Sequence, residues 1–404
     1  MRLWCASMSP KLPSPSIVVT ALGITQILAW GSSYYLPAVL AKPIANDTGW
    51  PLSWIVGGLS LGLLIAGLAS PMVGRFIHRE GGRPVLAGSA ILIALGQVGL
   101  GVAPNLPLFV FAWIIMGLGM SAGLYDAAFS TLGRLYRERA RGHIGTLTLF
   151  GGFASTTCWP LSAFLVEHVG WRDTCFAYAA IQIFISLPLY WFGIPGNGHN
   201  DPNTATIKKE EARSLHVPGT FTLLAIAIMI GSMLSTVISV HLLTILQDRG
   251  LTLAAAVGLG ALVGPSQVGA RSIELLVARY HHPIWTKLAS VSLVATGLTL
   301  LSLHFPIVFL TLIFYGGGIG LESIARATLP LALFGPEDYA PIMGKLARPS
   351  LIAQAASPSI GAFLIEHIGA DSALSVISAV AVFNVVLTAG LYVITSKARR
   401  HALT

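Results

Sequence analysis

The octapeptide AFLVEHVG, residues 163–170, returns as AFLIEHIG at residues 362–369, 199 positions later. The glutamate and histidine keep their places, and the only changes are two valines that become isoleucines. Carried along the chain without a gap, the same offset sets Gly117 and Gly119 on Gly316 and Gly318, Leu132 on Leu331, Gly145 on Gly344 and Pro84 on Pro283. GSS at 31–33 falls beside IGS at 230–232. The chain reads as two copies of one unit.

Hydrophobic residues make up 54% of the 404 and charged residues 10%, with a mean hydropathy of +0.75, a balance that points to a membrane protein. About 20 apolar residues cross a bilayer as a helix. Twelve such stretches are expected, near 16–40, 52–76, 84–103, 107–133, 143–167, 171–193, 218–246, 252–278, 284–303, 306–334, 342–366 and 372–396. Together with the repeat they predict an all-α membrane protein: twelve transmembrane helices in two pseudo-symmetric six-helix bundles, 16–193 and 218–396. A polar linker at 194–217 joins the bundles, and short tails occupy 1–15 and 397–404. The opening MRLWCASMSPKLPSP is too polar and proline-rich for the apolar core of a leader, so no cleaved segment is expected.

The net charge of +8 is explained by where the basic residues fall, so no nucleic-acid partner is expected. Alternating the loops from an inside N-terminus puts Arg75, Arg79, Arg83, Arg134, Arg137, Arg139, Arg141, Arg279 and Lys287 on one face, with Arg2, Lys11, Lys208, Lys209 and Arg213 of the tail and linker. The other face holds Lys42, Arg172 and Arg249. This asymmetry predicts a cell (inner) membrane protein with both termini in the cytoplasm. Cys5, Cys158 and Cys175 show no metal or redox spacing and read as small buried hydrophobes. Phosphate-loop, His/Cys metal and nucleophile motifs are missing, so neither a cofactor nor an enzymatic role is expected.

Five ionisable side chains fall inside the expected spans: Asp126, Arg271, Glu274, Glu322 and Arg326. An uncompensated charge at the bilayer centre costs at least roughly 2.5–3.5 kcal/mol, so each needs protein, water or a counter-ion. Arg271 and Glu274 are three apart and Glu322 and Arg326 four apart, spacings that predict pairing along each helix face. Asp126 has no cation one turn away and keeps three open roles: proton carrier, gate pair with Arg326 across the seam, or neutral hydrogen bonding. Glu322 is open between neutralising Arg326 and direct proton or substrate work. Arg348 is expected to snorkel to the inner face. In the first span WGSSYYLP, 30–37, Trp30, Ser33, Tyr34 and Tyr35 cluster ahead of the helix-breaking Pro37, and about two of the four are expected to face a cavity. His241 is expected to be interfacial.

The loop GRFIHREGGRP, 74–84, resembles the major facilitator superfamily signature G-x-x-x-D-R-x-G-R-R. Gly74, Arg79, Gly81 and Arg83 match, and His78 stands where that family has aspartate. The resemblance implies a conformational-switch loop whose charge contact with the start of helix 11 is altered by His78. NDTGWPLSWIVGGLSLGLLIAGLASPMVGR, 46–75, and HVGWRDTCFAY, 168–178, are similar to the bacterial monocarboxylate-transporter-like branch. In that branch helix 8 carries an acid and, one turn on, an arginine that meets the substrate carboxylate. Here SQVGARSIE, 266–274, has Gln267 and Arg271 in those places.

The expected substrate residues are therefore Arg271, Gln267, Tyr34, Ser33, Trp30 and Tyr125, with Asp126, Arg326, Glu322 and Glu274 for proton coupling or gating. Multidrug efflux is less well matched: Trp113 replaces the signature arginine of helix 4, and STTCWPLSAF, 155–164, replaces G-P-x-x-G-G. The expected function is secondary transport of a small organic anion by alternating access, by a monomer in the lipid bilayer, with protons as an open coupling partner. An exporter of a small amphipathic compound and a non-transporting sensor are the alternatives.

Overall fold

The computed structural model describes residues 14–196 and 219–403. Cys5, Arg2, Lys11, Lys208, Lys209, Arg213 and nearly all of the expected linker lie outside the described residues. In chain order, α1 spans Pro15–Thr48 with a break at 33–35, followed by α2 (Leu52–Glu80), α3 (Gly82–Val102) and α4 (Leu106–Tyr136, broken at Leu124). Helices α5 and α6 share Ala140–Gly193 and part at Gly170. The second half holds α7 (Thr220–Asp248), α8 (Leu253–Gly260 and Val263–Val277), α9 (Pro283–Ser302), α10 (Val308–Phe334), α11 (Tyr339–Ile368) and α12 (Ala370–Leu403).

Among the described residues, ten helices are long and apolar enough to count singly as membrane spans. The two others are hidden by backbone breaks. At Gly170 the chain takes φ 81 and ψ 169 and doubles back, so that Ser162 Oγ and Tyr178 OH, eight residues to either side, meet at 2.6 Å. Helix α8 is cut at 261–262 into pieces each too short to qualify.

The opening repeat has a structural counterpart. Gly369 ends the second octapeptide with φ 80 and ψ 160, nearly the conformation of Gly170. His168 bonds the Phe164 carbonyl at 2.8 Å and His367 the Phe363 carbonyl at 2.9 Å. Both His–Phe ring pairs are 4.1 Å apart. Near the same turns the halves carry reciprocal charges: Asp47 with Arg172 in the first, Arg249 with Asp371 in the second.

The halves meet chiefly at the end of the bundle that bears the first residue of α1 and the last of α12, called the terminal end below. Helix α2 packs on α11 there with almost nothing between the backbones. A Cβ on Gly344 would lie 2.4 Å from the Ser70 carbonyl, and one on Gly74 would lie 2.5 Å from that of Ala340. Ser70 Oγ donates to the Gly344 carbonyl at 2.9 Å. One buried apolar cluster crosses the same seam, joining Ile77, Leu86, Phe129, Leu132 and Ile144 to Leu331, Tyr339 and Met343. Replacing Gly344 by leucine is expected to wedge α2 from α11 and weaken closure at the terminal end. A cysteine replacing the buried Ser70 then reacts severalfold faster with an impermeant thiol reagent applied from that side; unchanged labelling would show that the seam does not depend on this contact.

Candidate functional site

A small cavity of about 30 Å³ lies on the seam beyond the α2–α11 contact, with room for about two water molecules. Its polar lining comes from Trp30, Ser70, Ser121, Tyr125 and the pair Asp126 and Arg326, with Gln354 on α11. Two helix breaks shape it. At Leu124 the backbone of α4 turns extended, with φ −82 and ψ −171, which starts a new helical segment at Tyr125 and puts Asp126 in its first turn. A break frees a main-chain acceptor that hydrocarbon cannot satisfy. Gln26 fills the gap: its Nε2 donates to the Gly123 carbonyl at 2.7 Å while its Oε1 accepts from Trp30 Nε1 at 3.2 Å. In α1, Pro37 opens the second segment, and the Tyr35 amide bonds back to the Trp30 carbonyl at 3.0 Å. This turn gathers Trp30, Tyr34 and Tyr35, with ring centroids 5.1 to 6.1 Å apart.

The structure sorts the expected substrate residues. Trp30 and Tyr125 line the cavity, their rings 5.2 Å apart, and Tyr125 stacks on Phe129 at 5.0 Å. Tyr34 packs edge-on against Trp30 and Tyr35 within the same cluster. Tyr35 instead turns its ring toward Trp159. Ser33 does not join them: its hydroxyl donates back to the Ala29 carbonyl at 2.6 Å and the residue is fully buried, since a hydroxyl within a helix meets the preceding turn more readily than open space.

The expected local ion pairs do not form. Arg326 Nη2 bonds Asp126 Oδ1 at 2.8 Å, from one half to the other. Glu322, one turn before Arg326, faces away from it and takes Lys287 Nζ at 2.5 Å on one oxygen and Ser290 at 2.9 Å on the other. Glu274 accepts from Thr286 at 2.7 Å and lies 3.6 Å from Arg141 and 3.4 Å from His281, far from any bond to Arg271. An exposed pair along one helix is worth only about 0.2–0.5 kcal/mol. A desolvated charge gains far more from a partner that a neighbouring helix brings into the core, so packing direction overrides spacing.

Lys287 is a correction as well as an omission. Charge counting assigns it to a basic loop, whereas the structure buries it completely within α9. Ser290 and Val294 share its face at helical spacing, which was the available signal. Gln26, Ser70, Ser121 and Gln354, which the sequence did not single out, belong to the site or its closure, and Arg141, counted from sequence only as a basic loop residue, reaches across the seam to the His281 carbonyl.

Arg271 is buried, at 5% exposure, and its donors reach the Thr148 carbonyl of α5 at 2.9 Å, Gln267 Oε1 at 3.1 Å and the Gly320 carbonyl at 3.4 Å. Glycines make that reach possible: a Cβ on Gly320 would stand 2.5 Å from the Gln267 carbonyl, and one on Gly152 would stand 2.8 Å from Arg271 Nη1. Asp126, Glu274 and Glu322 are all paired with other cations, and Arg271 has no carboxylate partner among the described residues. It is not part of the cavity lining. It lies one side chain behind, since the Tyr125 hydroxyl approaches the same Thr148 carbonyl at 3.5 Å.

Elsewhere, Gly74 serves the α2–α11 seam, Gly81 turns the chain with φ 81, and Arg83 stacks on Trp191 at 4.3 Å. His78 is exposed, and it is its main-chain carbonyl that ties the loop down, to Arg134 of α4. Arg348 is exposed, and His241 bonds the Pro358 carbonyl at 3.0 Å. Cys158 and Cys175 are free and buried.

The sequence profile of the Major Facilitator Superfamily matches residues 22–344. The chain belongs to that superfamily, whose members are transporters and not enzymes. Human monocarboxylate transporter 6 is 35% identical over 132 residues, covering 32% of this chain and 25% of that one. Human monocarboxylate transporter 11 is 27% identical over 240 residues, 57% of this chain and 47% of that one. Multidrug resistance protein MdtG of Salmonella typhi is 28% identical over 139 residues, 34% of each. The matched stretches thus span less than half of each of these relatives. The human organic anion transporter MFSD10 (TETRAN) superposes with a TM-score of 0.72 at 15% identity, over 93% of this chain and 100% of that one. The proton:xylose symporter XylE superposes with a TM-score of 0.72 at 13% identity, over 92% and 94%. At such identities the likeness is one of fold.

Cutting the buried Lys287–Glu322 pair from one side is expected to be expensive. Lys287→Met alone should destabilise the protein by roughly 3–5 kcal/mol by stranding a carboxylate in the core. Adding Glu322→Gln should restore most of that loss, as read by thermal unfolding in detergent.

Proposed function

We propose that this superfamily member carries a small organic carboxylate across a cytoplasmic membrane by alternating access, with the terminal end facing the cytoplasm. The observation that carries the reading is Arg271, a buried guanidinium that among the described residues is held only by neutral oxygens while the acids around it are committed to other cations. Carbonyl dipoles compensate a positive charge only in part. A carboxylate arriving beside Tyr125 offers a full negative charge and a bidentate fit to the planar fork of donors.

The Thr148 contact ties Arg271 to the opposite half, so replacing that carbonyl with a cargo anion loosens α5 from α8. The other crossings, Asp126–Arg326, Ser70–Gly344 and Arg141 to the His281 carbonyl, form the rest of the closure that gives way as the halves rock. Similarity to monocarboxylate transporters supports a carboxylate cargo. The competing reading, export of a small amphipathic compound, rests on the similarity to a multidrug resistance protein; Trp113, buried beneath Gly58 and Gly62 where that type of exporter carries arginine, speaks against it.

Arg271→Gln is expected to cut carrier-mediated uptake of radiolabelled pyruvate, L-lactate or benzoate into proteoliposomes. Losing charge-assisted bonds of roughly 1.5–3 kcal/mol corresponds to about 10–100-fold in apparent affinity. Arg271→Lys, which keeps the charge and loses the fork, should fall between. Equal uptake by wild type and Arg271→Gln would remove Arg271 from the site, and transport of lipophilic dyes with no carboxylate uptake would favour export.

A further inference from the structure

Two residues that line the cavity carry donors left without a partner among the described residues. Arg326 uses Nη2 for Asp126, but its Nε is buried and has no hydrogen-bond partner among the described residues. Ser121 Oγ, on the last turn of the first α4 segment, is likewise buried without a partner. Both residues line the cavity, alongside Tyr125. Leaving a donor buried and unmatched is costly, and two such donors on residues that line one space of about 30 Å³ mark a place where an acceptor would be stabilised, with volume for the two oxygens of one carboxylate.

Tyr125 lines the cavity together with Arg326, and its hydroxyl approaches the Thr148 carbonyl that Arg271 holds, so the ring lies close to both guanidiniums. We propose that Arg326 and Ser121 form a second carboxylate subsite beside Asp126, and that the cargo is a small dicarboxylate spanning from Arg326 to Arg271 past Tyr125. The proposal rests on the reading of Arg271 given above and names its substrate class.

Charge balance adds a proton. With Asp126 ionised, the two arginines and one aspartate carry a net single positive charge, which a monocarboxylate neutralises. A dicarboxylate overshoots by one negative charge, and a proton on Asp126 restores balance. Asp126 and the cargo would then share Arg326 as partner, so binding of the dianion and protonation of Asp126 favour one another by the same factor. Among the described residues near Asp126, Tyr125 precedes it on α4 and Tyr339 of α11 spends its hydroxyl on the Ala327 carbonyl at 2.8 Å, and neither is a cation.

Fumarate and crotonate share a four-carbon skeleton and differ in the second carboxylate, which makes them the probes. Calorimetric titration of the purified protein is expected to give fumarate about ten-fold tighter binding than crotonate, with proton uptake for fumarate alone when the titration is repeated in two buffers of different ionisation heat. Asp126→Asn, which mimics the protonated acid, should keep the fumarate preference and abolish the proton uptake. Ser121→Ala, a mild change, should narrow the fumarate-to-crotonate ratio, and Arg326→Lys should narrow it further. Arg271→Gln should weaken both ligands together. Equal affinities in the wild type, an unchanged ratio in Ser121→Ala, or no binding of either ligand would overturn the second subsite. An Arg271→Gln protein that binds both ligands like wild type would instead overturn the Arg271 reading.

Discussion

A charge placed in a hydrocarbon slab has to find compensation, and the neighbour that supplies it fixes which helices touch and where. Here the partners come from other helices: Asp126 of α4 for Arg326 of α10, Lys287 of α9 for Glu322 of α10, and Arg141 of α5 with Thr286 of α9 for Glu274 of α8. Of these, the Lys287–Glu322 pair is internal to the second half and serves as a fixed rivet. The Asp126–Arg326 pair and the Arg141 contacts cross the seam, where they have to break whenever the halves separate. The distinction between permanent and breakable charge contacts thus follows from the chain positions of the partners.

Small residues make the seam tight enough for such contacts to matter. Gly67, Gly74 and Gly344 bring α2 and α11 into backbone contact, and Gly316 and Gly320 do the same for α10 against α8. With helix axes drawn that close, a serine hydroxyl or a guanidinium reaches a main-chain oxygen across the interface. Such contacts are individually modest, which suits an interface that must open.

Much of this was written in the sequence, and the parts that were not share a cause. The duplicated octapeptide and the hydropathy pattern led to the twelve-helix membrane fold because both depend on local composition. The helix-breaking Pro37 announced a break in the first span, and the break is present. Spacing along one helix misled for Arg271, Glu274, Glu322 and Arg326, because it records which residues share a face and says nothing of what that face meets. Lys287 was hidden by its position close to a basic turn, where charge counting and burial give opposite answers. The break at Leu124 carries no proline to flag it, and only the distant Gln26, which compensates for it, reveals how it is tolerated.

The grip of Arg271 on the Thr148 carbonyl has an evolutionary corollary. A main-chain oxygen is present whatever amino acid occupies position 148, so drift there leaves the clasp intact and leaves no correlated substitution behind. Among related chains, paired changes should therefore betray the contacts made between two side chains, Asp126 with Arg326 and Lys287 with Glu322, while the Arg271–Thr148 clasp stays invisible to any survey of co-varying positions.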